Sequence, residues 1–131
     1  MARVELEQPI RAPVDVVYAV ARDVEAFPQF MPDVKSVRVL ERSEDGARTL
    51  TEWVAYASQL KLQVKWVEED LWNDQEHTCH FRQAKGDYDQ MEGWSRIQRE
   101  RFFGACWTTS CVCLCWALLC RRWFTIWFSR I

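Results

Sequence analysis

Residues 61–71 read "KLQVKWVEEDL", and this short run decides what the rest of the chain can be. Leu62, Val64 and Trp66 alternate with Lys61, Gln63 and Lys65, the two-residue period of a strand with one buried and one wetted face. The acids that follow, Glu68 to Asp70, read as a solvated rim at the strand's end, since adjacent carboxylates are seldom buried. The same period spreads to both sides. Residues 36–60, "SVRVLERSEDGARTLTEWVAYASQL", hold two further strands around "SEDG", where Asp45 and Gly46 are suited to the positive φ angles of a tight hairpin. Downstream, "EHTCHFRQA" and "DQMEGW" flank "KGDYD", a second reversal built on Gly86 and Asp87.

Upstream, "ARVELEQPIRA" alternates Val4 and Leu6 with Glu5 and Glu7, a first strand. Pro13 then precedes "VDVVYAVARDVEAF", where Val14, Val17, Tyr18 and Ala21 recur at helical spacing, and proline suits a helix start. Pro28 and Pro32 bracket "QFM", so a second helical piece must be short and end near Asp33. One strand, two helices and at least five strands in a meander predict an α+β domain.

A chain of 131 residues suits a single domain with one core. Its net charge of -2 hides an asymmetry: residues 1–94 carry 11 Lys+Arg against 18 Asp+Glu, and residues 95–131 carry 6 Arg against one Glu. The acidic body disfavours a nucleic-acid surface, which needs clustered positive charge. No apolar run follows the basic start as in a secretory signal, so a reducing cytoplasm is the expected location. Cys79, the one cysteine before residue 106, reads as a small buried apolar residue.

The segments "VDVVYAVARDVEAFPQFMPDVKSVRVLER" and "FRQAKGDYDQMEGW" resemble the polyketide cyclase and coenzyme Q-binding branch of the START-like (SRPBCC), or helix-grip, superfamily. The Phe-Pro-x-Phe-x-Pro element, Phe27 to Pro32, together with the run from Phe81 to Trp94, makes it specific. The resemblance implies a curved antiparallel sheet wrapped around a long C-terminal helix, an apolar cavity between them, and two short helices closing one end. It also implies binding of a hydrophobic small molecule, such as a lipid, isoprenoid quinone or polyketide. Some relatives are aromatase/cyclases or dehydratases, and one associates with ribosomes as a toxin; both remain alternatives here.

Tyr18, Phe27, Phe30, Met31, Trp53, Tyr56, Trp66, Phe81 and Trp94 form a larger set of bulky side chains than a core of this size needs, and are the candidate lining of that cavity. Trp53 and Tyr56 stand three residues apart, so both face inward only if a bulge intervenes. For cyclase chemistry the candidate polar groups are Tyr56, Gln83 and Arg82, with Gln83 counted in the lining. No catalytic residue, cofactor or metal is assigned. Glycines are scattered rather than grouped in a phosphate-cradling loop, and His77, Cys79 and His80 read as ordinary strand residues because His80 points away from the other two.

Residues 95–131 depart from the resemblance, and the expected division is a body, 1–94, and an aberrant Cys/Trp/Arg-rich tail in place of the last strand and C-terminal helix. The tail's five cysteines, at C-x4-C-x-C-x-C-x4-C, fit no zinc motif. Residues 102–120 are uncharged and precede Arg121-Arg122, which meets the length rule for a membrane span. A tail-anchored protein touching the membrane through 102–128 is therefore a further alternative. A shifted reading frame accounts for the composition better. Read from the third base of each codon, Trp107-Thr108 is forced to Asp, Cys115-Trp116 to Leu, Trp116-Ala117 to Gly, and Trp123-Phe124 and Trp127-Phe128 each to Val. These residues resemble the family's own continuation, so a frame slip between Ser95 and Cys106 is expected. Independent sequencing of the gene across that interval checks it, and an unbroken frame encoding the tail would refute it. A helix is expected within 105–128 in either case.

Overall fold

The computed structural model describes residues 2–29, 31–57, 61–87, 90–99 and 101–108. Among them are seven strands: β1 (Ala2–Pro9), β2 (Val34–Arg42), β3 (Arg48–Ala57), β4 (Leu62–Asn73), β5 (Thr78–Gly86), β6 (Met91–Gln98) and β7 (Arg101–Thr108). Helix α1 (Val14–Arg22) and a 3₁₀ helix (Val24–Gln29) lie between β1 and β2. The strands form one antiparallel sheet in the order β1-β7-β6-β5-β4-β3-β2. β2 to β7 are a simple meander, and β1 joins its far edge beside β7. This is the α+β helix-grip architecture that the sequence predicts.

Helix α1 starts after Pro13, whose carbonyl accepts the Val17 N–H at 3.1 Å. Asp15 in its first turn and Arg22 in its last complement the helix dipole. Val17 and Tyr18 form its buried face. Pro28 lies within the 3₁₀ helix, which ends at Gln29. The chain then turns into β2 through Met31 N–H to Phe27 O and Val34 N–H to Met31 O.

β3 alternates regularly, burying Thr49, Thr51, Trp53, Ala55 and Ala57 while the residues between them are only half-buried. It pairs with β4 without interruption from Arg48↔Leu71 to Ala57↔Leu62. Irregularities fall elsewhere: β2 is bulged between Val34 and Ser36 and between Val39 and Glu41, and the β4–β5 pair shifts between Val67 and Glu68. Such bulges bend and twist a strand, which curves the sheet on both flanks of β3. The inner face carries the core, where Trp53 and Trp66 stack at 5.7 Å between ring centroids with 7° between planes. Phe27 meets Trp53 edge-on at 5.6 Å, bringing the 3₁₀ helix onto the sheet.

The turns differ from the sequence expectation in one respect. Gly46 alone adopts positive φ (74°) in the β2–β3 turn, which is longer than a two-residue hairpin and is closed by Ser43 N–H to Arg48 O at 2.8 Å. Asp45 instead caps it, its carboxylate accepting from Ser43 Oγ and the Ala47 N–H.

The composition break after Trp94 is not a structural break. It falls inside β6, and residues 101–108 are themselves the last strand, paired along their whole length with β1 on one side and β6 on the other. The expected tail in place of that strand is corrected accordingly: Phe102 is buried beside its partner Ile97 on one face, and Ala105 is buried beside Trp94 on the other. Of the uncharged run 102–120, the first seven residues belong to β7. Among the described residues no helix is long and apolar enough to cross a membrane. Of the helix expected within 105–128, residues 105–108 belong to β7 and the rest lie outside the described residues, as do residues 109–131 of the shifted frame expected from between Ser95 and Cys106 onward.

Gly86 ends β5 at φ 147°, and a Cβ there would lie 2.5 Å from both Cα and Cβ of Trp66. Just beyond it, Asp87 clamps β4 by accepting the Lys65 N–H at 2.8 Å through its side chain and donating its own N–H to Lys65 O at 3.0 Å. Gly86→Ala is expected to destabilise the fold by about 2–4 kcal/mol, from a backbone region closed to L residues and from displacing the central tryptophan. Urea unfolding of the variant against the parent measures this directly.

Candidate ligand-binding face and a buried carboxyl pair

Because Trp53 and Trp66 are cross-strand partners on the inner face, every second residue of β4 shares that face: Val64, Trp66, Glu68, Asp70 and Trp72. The rim expected for Glu68–Asp70 is thereby corrected. Only Glu69 points outward, where Arg48 and Arg82 pair with it at 2.8 and 2.9 Å. Glu68 and Asp70 are buried, at 9% and 3% exposure.

Burial is tolerated because donors surround the carboxyls. Asp70 Oδ2 accepts from Thr51 Oγ1 at 2.9 Å and from Thr49 Oγ1 at 3.4 Å. Glu68 Oε2 accepts from Trp66 Nε1 at 2.9 Å. The threonines accept in turn from indoles, Thr51 from Trp53 Nε1 at 3.1 Å and Thr49 from Trp72 Nε1 at 3.3 Å. The Cys79 thiol lies 4.0 Å from Asp70 Oδ1 on the other side. Desolvation pushes Asp70 up to about 6, against the hydrogen bonds it receives from Glu68, Thr51 and Thr49. The two carboxyls thus hold a proton between them at a pH where exposed acids hold none. Burial, foremost, raises the Cys79 thiol far above its ordinary range, so it stays a thiol.

A second polar group fixes α1 to the β4–β5 turn. Tyr18 OH and Arg22 Nη1 both donate to Asp74 Oδ1, at 2.8 and 2.7 Å, and Arg22 Nη2 donates to Gly46 O at 2.6 Å. His77 lies edge-on to Tyr18 at 4.9 Å and its Nε2 is 3.2 Å from Asp15 Oδ1. Burial and the hydrogen bond to Asp74 raise the Tyr18 phenol well above its usual value.

The candidate lining therefore divides. Trp53, Trp66, Phe27, Met31 and Tyr18 are buried together in the core, and Phe81 packs against it. By register Phe81 and Gln83 share the face of Asp70 and Glu68. Tyr56 alternates with the buried Ala55 and Ala57 and belongs to the outer face, since β3 carries no bulge against β4. Trp94 is corrected too: its neighbour Gly93 pairs with Phe81, so Trp94 turns outward. There it lines an open depression of about 600 Å³ with Glu69, Leu71, His80, Arg82 and Glu92, which Phe81 and Gly93 also border. Arg82 lies on this outer side as well, which removes both Tyr56 and Arg82 from inner-face chemistry. Phe30 lies outside the described residues. Among the described residues no cluster of His, Cys, Asp or Glu could hold a metal ion.

Thr51 is the joint of the inner network, donating to Asp70 while accepting from Trp53. Thr51→Val keeps its shape and deletes both bonds. The variant is expected to lose about 1–3 kcal/mol and to raise the Asp70 pKa further; chemical denaturation and carboxyl-carbon NMR titration report the two effects separately.

A family model for "Polyketide cyclase / dehydrase and lipid transport" matches residues 10–112. None of the curated proteins matches the chain. Among solved structures, protein TTHA0849 from Thermus thermophilus superposes with a TM-score of 0.85 at 27% identity, covering 98% of this chain and 96% of that one. Zhui aromatase/cyclase from Streptomyces sp. R1128 gives 0.74 at 15% identity, with 98% and 89% covered. A START superfamily protein from Mycobacterium smegmatis gives 0.77 at 14% identity, with 98% and 96% covered. The last two, at such low identity, share the fold alone.

Proposed function

We propose a function from one plain premise: this chain belongs to the polyketide cyclase/dehydrase and lipid transport family. On that premise it binds a hydrophobic small molecule, such as a lipid, isoprenoid quinone or polyketide, against the inner face of its sheet, and carries or presents it within the cytoplasm. The observation that carries this reading is the aromatic floor of that face, Trp53 stacked on Trp66 with Phe27 against its edge. Trp53 and Trp66 are themselves 6% and 1% exposed, so they form the packed floor beneath the binding face, and apolar surface buried on that face is worth about 25 cal/mol for each square ångström. Phe81 and Gln83 continue the same face toward β5. Gln83 brings one amide that could orient a guest's polar end.

A second reading is favoured by a specific feature. A carboxyl pair whose proton exchanges near pH 6 is suited to take a proton from, and return it to, a carbon beside a ketone. An aromatase/cyclase or dehydratase would use Asp70 and Glu68 for that step, in place of Tyr56 and Arg82.

Native mass spectrometry of the full chain is expected to show an added mass of a few hundred daltons, about the size of one lipid or quinone, that is lost on organic extraction. Trp53→Ala, which collapses the floor beneath that face, is expected to weaken rebinding of the extracted molecule by about tenfold, or roughly 1.4 kcal/mol. A bare protein mass, with no rebinding of lipid, quinone or polyketide, would refute the binding reading. Turnover of an added poly-ketone that survives Asp70→Asn would refute the enzymatic one.

A further inference from the structure

Glu68 and Asp70 stand at alternate positions on the inner face of β4, both buried. From β3 the groups turned toward them are the neutral hydroxyls of Thr49 and Thr51, and from β5 the Cys79 thiol. On β4 itself Glu69 adds a like charge through the sheet. From the end covered by α1 come Tyr18 and Arg22, with Asp74 and His77 of the adjoining turn. The pair is wired to both central tryptophans, to Trp66 directly through Glu68 and to Trp53 through Thr51.

We propose that this pair is a proton-operated latch on the inner face: with a shared proton it closes as one hydrogen-bonded unit under the stacked tryptophans, and without it two like charges separate and loosen that packing. The inference goes beyond the ligand reading and does not depend on it. Two unit charges at contact distance in a poorly hydrated interior repel by several kcal/mol at an effective dielectric constant of about 20. Relief comes by moving the side chains apart, which pulls on the Trp66 indole N–H and on the threonine hydroxyls.

The sign of the effect sets it apart from ordinary acid unfolding. Asp70 is raised from 3.8 to about 6 in the fold, so between those values the folded chain keeps a proton that the unfolded chain has lost. Its stabilisation is complete below the unfolded value and lost as pH rises through about 6. Asp45, Glu69 and Asp74 are shifted the other way, first by hydrogen bonds from Ser43, Arg48 and Tyr18 respectively. Their contributions are lost only as pH falls through the carboxylate range. Stability is therefore greatest in mild acid and falls toward neutrality.

The test is urea unfolding of the full chain from pH 4 to pH 8, followed by tryptophan emission. The unfolding constant of the parent is expected to rise roughly 30- to 100-fold over that range, with the rise falling between about pH 4 and pH 6 and a plateau above it. The emission of the folded state should shift to the red with a midpoint near pH 6, where folded Asp70 titrates, as the indole bond to Glu68 loosens. Asp70→Asn should remove most of the rise. Glu68→Gln keeps a donor beside Asp70 without the like charge, so its rise should move to lower pH. This second variant, with the parent's own profile, carries the test if Asp70→Asn does not fold. A parent unfolding constant that is flat or falling between pH 4 and pH 6, or the same rise in Asp70→Asn, overturns the latch.

Discussion

The pairing of Trp53 with Trp66 is the constraint on which the remaining structure depends. It is at once a cross-strand pair, a stacked aromatic contact and the anchor of the β3–β4 register. A slip of one residue would exchange the faces of β4, placing Lys65, Val67, Glu69 and Leu71 inside and turning Trp66 to water. Burying a side chain of this size is worth about 2–3 kcal/mol, and a core truncation of tryptophan costs about 3–5 kcal/mol. The register that buries both tryptophans is therefore strongly preferred. Phe27 then has one place to rest, and with it the 3₁₀ helix is drawn over β2 and β3.

The same register imposes a cost, because it carries Glu68 and Asp70 inside with the tryptophans. An isolated buried carboxylate would cost several kcal/mol, comparable to what the indoles gain. The chain meets this with polar groups already on the face: two threonines and three indole N–H groups form a connected set around the acids. A threonine is nearly the shape of valine, so Thr49 and Thr51 fit the β3 pattern while supplying hydroxyls. Each indole satisfies its own buried N–H in the exchange, which a phenylalanine could not offer and would not need. Aromatic floor and acid pair are one arrangement, and the proton count of the pair is felt by both tryptophans.

Most of the fold was legible in the residues. Alternation at 61–67, helical spacing after Pro13, and turn residues at Gly46 and Gly86 mark the elements, and the meander follows from their order. The buried pair was legible too, by counting in twos from Trp66; adjacency of three acids obscured that two of them share the apolar parity. Other features depend on pairing that one strand cannot reveal. Trp94 sits in a stretch, Glu92 to Arg96, with no alternating pattern to show which way it faces, and the match of Gly93 to Phe81 turns it outward. Tyr56 depended on whether β3 was bulged, and the bulges lie in β2 and in the β4–β5 pair instead. The hydrogen bonds linking Thr51 to Trp53, and Thr49 to Trp72, arise from rotamers and strand twist, for which sequence period carries no signal.

Composition proved a poorer guide than pattern at the C-terminal side of the sheet. The charge balance reverses after Trp94, yet the ladder continues through Ile97↔Phe102 and Ser95↔Gly104 without a shift in register. Backbone hydrogen bonds are indifferent to side-chain chemistry, and a strand between two partners needs only residues that fit its two faces. Gly104 lets the Phe102 ring lie close, 3.1 Å from where its own Cβ would be. Arg101 meets Glu7 across the β1–β7 pair at the outer edge. Local fit of this kind closes the sheet onto β1, and so holds β6 and β5 in the register that brings Phe81 to Asp70.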